Sequence, residues 1–137
     1  NGKKNIKIIY KDTYNILNQS SCAIVTSGTA TLETALFKVP QVVCYKSSWI
    51  SYQIAKKLIK VKYISLVNLI LNKEAVKELI QNDLTPKKIK LELDLILNSS
   101  KRESILECYN NLEEKCGGRG ASKITANEML KTIQLSS

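Results

Sequence analysis

Apolar residues in this chain gather in short runs whose spacing changes from one stretch to the next. Residues 22–26 (CAIVT) and Gln41–Tyr45 (QVVCY) are nearly continuous apolar runs, the pattern of parallel strands covered on both faces. Residues 5–10 (NIKIIY) and 63–66 (YISL) read as two more strand-like segments. Helical stretches begin at Asp12, Thr29 and Ser51, between the strands. Strands alternating with helices predict βαβ units and an α/β fold: a parallel, doubly wound sheet flanked by helices. After Asn68 the pattern turns helical. Residues 74–81 predict a short helix. Thr85 is placed to cap the next one, with Pro86 at its first position and Ile89, Leu93, Ile96 and Leu97 along its apolar stripe. Residues 101–116 predict a third, with Ile105, Leu106, Tyr109 and Leu112 on one face and Gly117-Gly118 ending it. A last helix from about Ser122 carries Ala126, Met129, Leu130 and Ile133. Gly117-Gly118-Arg119-Gly120 follows a helix rather than a strand, so it is a break and not a dinucleotide-binding fingerprint.

Composition narrows the function classes. With 137 residues and 44% apolar residues, the chain is long enough for one domain with a real core. Its net charge of +9 favours anionic partners, although lysines spread along the whole chain also fit a lysine-rich composition with no such meaning. Four cysteines (Cys22, Cys44, Cys108, Cys116) lack CxxC spacing and there is no histidine, so Cys/His metal sites have no support and no metal is expected. The same lack removes the commonest general base. Free cysteines in buried strands fit a reduced, cytoplasmic setting. No apolar run reaches the length of about 18 residues that a membrane span needs. The chain opens at Asn1 without Met, which suggests a fragment.

The candidate chemistry lies in TSGTATLETALFKVPQVVCYK, residues 26–46. Here Ser27-Gly28-Thr29 joins the carboxyl end of a buried strand to the amino end of a helix, the edge at which open α/β sheets bind ligands. Unpaired backbone N–H groups and the helix dipole favour phosphate there. Gly28 allows close approach, and Ser27, Thr29 and Thr31 supply hydroxyl donors. Neither a P-loop nor GxGxxG is present. Glu33 sits one turn into this helix. It is not a capping-box acid, because position 30 is Ala rather than Ser or Thr. A carboxylate beside bound phosphate is repelled unless it accepts hydrogen bonds farther along the ligand, and ribose has two such hydroxyls. From the residues alone, a ribose-binding carboxylate and a solvated surface glutamate both stay open.

Three blocks carry a resemblance: SGTATLETAL-x₃-P-x-VV-x-YK, IAKKLIKVKYISLVNLI and KEAVKELIQNDLTP, with GGRGAS-x₃-A at the end. Together they closely resemble the carboxyl-terminal half of the lipid-A-disaccharide synthase family, in order over nearly the whole chain. The resemblance implies the carboxyl-terminal half of a two-Rossmann (GT-B) inverting glycosyltransferase. The implied reaction joins UDP-2,3-diacylglucosamine to 2,3-diacylglucosamine 1-phosphate, giving lipid A disaccharide 1-phosphate and UDP. No cofactor is implied. Residues 1–68 are then a parallel nucleotide-binding core. Residues 69–137 are a helical part of the same domain, whose final helix packs toward an amino-terminal half. The catalytic base and acceptor site belong to that half, so the fragment alone is expected to be inactive.

The same resemblance assigns roles residue by residue. Glu33 matches the acid that accepts the ribose hydroxyls, and Ser27, Gly28 and Thr29 match the turn facing the diphosphate. Tyr45 and Lys46 match an aromatic-basic pair lining the nucleotide pocket. Asn68 matches the asparagine ending an SLxN block, and Glu78 and Gln81 match an ELxQ block facing the cleft. Val67 stands where the family usually has proline, and Lys73 where arginine is common, which loses a bidentate fork. Lys56, Lys57, Lys60 and Lys62 interleave with Trp49, Ile50, Tyr52, Ile54 and Leu58, a stretch that suits an anionic bilayer or an ordinary helix with its lysines in water. The family's lipid-linked substrates add weight to a peripheral place on the inner face of the inner membrane. A homo-oligomer is left open.

Rival readings are another UDP-sugar GT-B enzyme, such as the glycosyltransferase of peptidoglycan lipid precursors or a 2-epimerase, and a noncatalytic phosphate-binding module of flavodoxin type. A nucleic-acid partner is not expected, because the basic residues are diffuse and no RNP, helix-turn-helix or zinc-finger pattern is present. The resemblance also implies two further strands ahead of residues 6–10, lying between that strand and residues 22–26. In their absence, the expectation is that residues 6–10 pair directly with 22–26, or that a second chain fills the gap.

Overall fold

The structure, a computed structural model, describes residues 6–48, 62–98 and 100–118. Its centre is a three-stranded parallel sheet of β1 (Ala23–Thr26), β2 (Gln41–Tyr45) and β3 (Lys77–Ile80), in that spatial order. The register sets Thr26 beside Cys44 and Tyr45 beside Ile80, so all three strands end at one edge. α1 (Thr13–Gln19) precedes β1, and α2 (Thr29–Leu36) is the right length to return the chain to the start of β2. α3 (Leu66–Leu71) leads into β3. A single 3₁₀ turn (Gln81–Asp83) then opens into α4 (Pro86–Asn98) and α5 (Lys101–Lys115). The expected α/β architecture, a parallel Rossmann-like sheet flanked by helices with a helical carboxyl-terminal third, is what the chain adopts.

β2 is buried at four consecutive positions, the signature of a strand covered on both faces. α2 packs on β1 and β2, and α4 packs on β2 and β3. The core joins Val42, Val43 and Leu79 of the sheet to Val67 and Leu71 of α3, Ile96 of α4, and Ile105, Tyr109 and Leu112 of α5. Lys38, at φ +58° in the turn after α2, fastens α5 to that turn. Its ammonium donates to the Tyr109 carbonyl (3.2 Å) and Asn110 Oδ1 (2.9 Å), and pairs with Glu113 at 2.7 Å. Thr85 Oγ1 accepts from the Lys88 N–H at 3.3 Å, with Pro86 at the first helical position, as its sequence predicts.

Several elements depart from expectation. Residues 6–10 form no strand and do not pair with β1; their side chains are exposed, Ile8 at 73%. An isolated strand is not stable, and no described neighbour offers them a ladder. β1 is not covered on both faces either: its burial alternates, and Ile24 is 54% exposed. Residues 63–66 are a turn entering α3, not a strand. Residues 74–81 are not a helix, because Lys77–Ile80 is β3. Lys, Glu, Ala and Leu favour a helix locally, but a stretch this short is marginal as a helix, and pairing with β2 overrides the propensity. Within α4, Ile96 is buried, Ile89 and Leu93 pack at the margin of the core, and Leu97 faces outward at 48% exposure. The helices expected from Ser51 and Ser122, and the segment of Trp49 to Lys60, lie outside the described residues. Lys62, the fourth lysine grouped with that segment, is described: it is exposed, with its ammonium 5.3 Å from the centre of the Tyr63 ring.

Candidate functional site

The carboxyl edge of the sheet collects Ser27 and Gly28 after β1, Lys46 and Ser47 after β2, and Gln81 after β3. Gly28 is the N-cap of α2 and has φ +141° and ψ −164°, a conformation open essentially to glycine alone. A β-carbon there would meet nothing within 4 Å, so the turn is open to approach. No side chain caps α2, which leaves its first N–H groups directed into this opening.

Two of the three expected hydroxyl donors are committed within the protein. Ser27 Oγ donates to the Ile64 carbonyl at 3.0 Å, and Thr31 Oγ1 donates to the Gly28 carbonyl at 2.8 Å. Thr29 is exposed, and four residues on, over the same face of α2, lies Glu33. Glu33 is half-buried, and its carboxylate has no hydrogen bond or ion pair among the described residues. Tyr45 and Lys46 are both exposed at the end of β2.

Asn68, Glu78 and Gln81 stand differently, as supports under the edge. Asn68 is fully buried. Its Oδ1 accepts from the N–H groups of Ala75 (2.8 Å) and Val76 (3.0 Å), and its Nδ2 donates to the Val76 carbonyl (2.9 Å) and Glu78 Oε1 (2.8 Å). One Glu78 oxygen accepts from the Ile64 N–H at 3.0 Å. The other accepts from the Ser65 N–H (3.0 Å), the Ser65 hydroxyl (2.7 Å) and Asn68. Gln81, at φ +51°, pairs its amide with the Ser47 backbone in both directions, accepting at 3.0 Å and donating at 3.2 Å. A side chain bigger than glycine held left-handed costs energy, and this double bond to the β2 loop offsets it.

Sequence reasoning missed Ser47, Ile64 and Ser65. Ser65 did carry a signal: it is the N-cap of α3, and a serine directly before LVNLIL is a capping residue that the strand reading of 63–66 hid. Val67 is the second residue of α3, where a backbone N–H has no intrahelical acceptor, so valine in the place of proline leaves the turn intact.

A parallel sheet flanked by helices, with an uncapped helix start, a glycine turn and an unpaired carboxylate at its carboxyl edge, is a Rossmann-like α/β domain, the class in which ligands bind at that edge. Comparison with known proteins makes this particular. The family model for lipid-A-disaccharide synthetase matches residues 2–129, and the chain belongs to that family. It is 39% identical to a lipid-A-disaccharide synthase of Syntrophus aciditrophicus, over 96% of this chain and 34% of that protein. It is 40% identical to the one of Hahella chejuensis, over 97% and 33%. The chain thus spans about a third of the length of these curated relatives. Among the described residues, no helix is long and apolar enough to cross a membrane.

Proposed function

We propose that this chain is the part of a lipid-A-disaccharide synthase that holds the nucleotide of its sugar donor, working within a longer protein. The donor is UDP-2,3-diacylglucosamine, the acceptor 2,3-diacylglucosamine 1-phosphate, and the product lipid A disaccharide 1-phosphate. The observation that carries this reading is the open Gly28 turn at an uncapped helix start, with the unpaired Glu33 carboxylate one turn further along. The diphosphate lies against the Gly28 and Thr29 end of α2, where N–H groups and the helix dipole face it. Glu33 accepts the ribose hydroxyls, and Tyr45 and Lys46 bring a flat face and a positive charge from the next strand. Asn68, Glu78 and Gln81 serve the same site by holding the 64–65 turn and the Ser47 loop in place. Residues 69–137 are read as part of the same domain as 1–68, a reading supported by the pairing of β3 with β2. Membership in the family supports a glycosyltransferase at a membrane surface, with the exposed lysines toward anionic headgroups.

Calorimetric titration with UDP tests the reading. Glu33→Gln keeps the shape of the side chain and removes its charge. It should weaken UDP binding by about 1–3 kcal/mol, the worth of charge-assisted hydrogen bonds. Equal affinity in the variant removes Glu33 from the site, and no saturable UDP binding by the unaltered chain removes the proposal.

A further inference from the structure

Glu78 and Ser27 come from different strands, yet they act on one peptide segment. Glu78 Oε2 holds the Ile64 N–H and Oε1 holds Ser65, while the carbonyl of Ile64 receives the Ser27 hydroxyl hydrogen. A carbonyl oxygen can only accept, so the hydrogen on Ser27 Oγ is committed to it. What the serine can still offer is a pair of acceptor sites. A phosphate oxygen is an acceptor too, and two acceptors facing each other repel.

We infer that Glu78 is a positioning residue: by anchoring the Ile64–Ser65 turn it fixes the Ser27 hydroxyl as an acceptor. The serine therefore selects a hydroxyl or N–H donor of the nucleoside, not a phosphate. This rests on the nucleotide-binding reading above. Glu78 is suited to the task because its carboxylate has only lone pairs to give and four donors converge on it. Its place on β3, in register with Val43 of β2, ties the turn to the most buried strand of the sheet. A turn anchored only by its own backbone could swing the Ile64 carbonyl away and free the serine to donate.

Ser27→Ala and Glu78→Gln, alone and together, test this with UDP and with uridine as the titrants. Glutamine at position 78 keeps one acceptor oxygen for Ser65 and Asn68 and turns an N–H toward Ile64, so it frees chiefly the Ile64 end. Ser27→Ala should weaken UDP and uridine by the same factor, about three- to tenfold for a neutral hydrogen bond. Glu78→Gln should produce a similar loss that largely disappears in the Ser27→Ala background, because the two changes break one relay. Persistence of the Ser27→Ala loss with N3-methyluridine assigns the donor to a ribose hydroxyl, and its disappearance assigns it to the ring N–H; either result supports the inference. A Ser27→Ala effect on UDP with none on uridine would mean that the serine donates to phosphate, and overturns it. Independent, additive effects of the two substitutions overturn it as well. No binding of UDP by the unaltered chain overturns both this inference and the nucleotide reading, whereas binding without coupling overturns this one alone. Circular dichroism at the titration temperature checks that each variant is folded; if Glu78→Gln is not, the Ser27→Ala comparison between UDP and uridine decides.

Discussion

At the scale of single residues, the distinction between side chains that face outward and those that brace the edge follows from hydrogen-bond accounting. Asn68 uses both atoms of its amide on protein groups, four bonds in all from one buried side chain. Asn68→Ala strands the N–H groups of Ala75 and Val76 and one lone pair of Glu78 in a region that water does not reach. It should lower stability by about 3 kcal/mol, read from urea unfolding. A loss within that of an ordinary surface substitution would show that the network contributes nothing. The open turn at Gly28, with Glu33 one turn along the helix, was legible from the sequence because it is local: a strand, a glycine and a helix follow one another along the chain. The bracing roles of Asn68 and Glu78 were not, since their partners sit across a turn and a side-chain type says nothing of which distant N–H it will meet. Ser27 shows the same limit in reverse. Serine beside a helix start reads as a donor to phosphate, and only the Ile64 carbonyl beside it shows where the hydrogen goes.

At the scale of elements, the Thr85 cap and the buried run of β2 proved readable, while short segments did not. Gln41–Tyr45, Pro86–Asn98 and Lys101–Lys115 fall close to where their patterns place them. The strand expected at 63–66 is a turn and the helix expected at 74–81 holds a strand; each segment is about a turn or two long and neighbours decide. One contact between α5 and the start of β2 can be probed by pH. Tyr109 is fully buried, and its hydroxyl accepts from Gln41 Nε2 at 3.3 Å. Burial pushes the phenol well above its ordinary value, so the folded chain keeps the proton at a pH where the unfolded chain releases it. The stability associated with this group is fully present below about pH 10 and falls as pH rises toward the folded value. Thermal unfolding followed from about pH 8 to about pH 11, a range that brackets the ordinary tyrosine value, should show a steeper alkaline loss in the unaltered protein than in Tyr109→Phe. The variant retains the Lys38 bonds to the Tyr109 carbonyl and Asn110, so the helix keeps its seat, and Gln41 keeps its bond to the Thr31 carbonyl at 2.8 Å. Parallel slopes in the two proteins would rule the phenol out.

For the whole molecule, the decisive proportion is that the chain spans about a third of its curated relatives. An inverting displacement needs a base for the acceptor hydroxyl. This chain has no histidine, and its two carboxylates nearest the edge are assigned to ribose binding and to the 64–65 turn. The purified 137-residue chain should therefore bind UDP yet form no disaccharide from the two sugar substrates, and detectable product would contradict this division of labour. The Glu78 carboxylate has a consequence in time as well as in space. Amides in turns ordinarily trade their hydrogens with solvent quickly, because a small local opening exposes them. Those of Ile64 and Ser65 lie outside any helix or strand, yet both end on a carboxylate rooted in β3. Releasing them means pulling the turn off a carboxylate that also holds the Ser65 hydroxyl and Asn68. In deuterium oxide they should lag with the amides shared by β2 and β3, while those of residues 6–10 are replaced at once. The slow-exchanging map of this protein would then extend past the sheet and take in the rim where a ligand arrives.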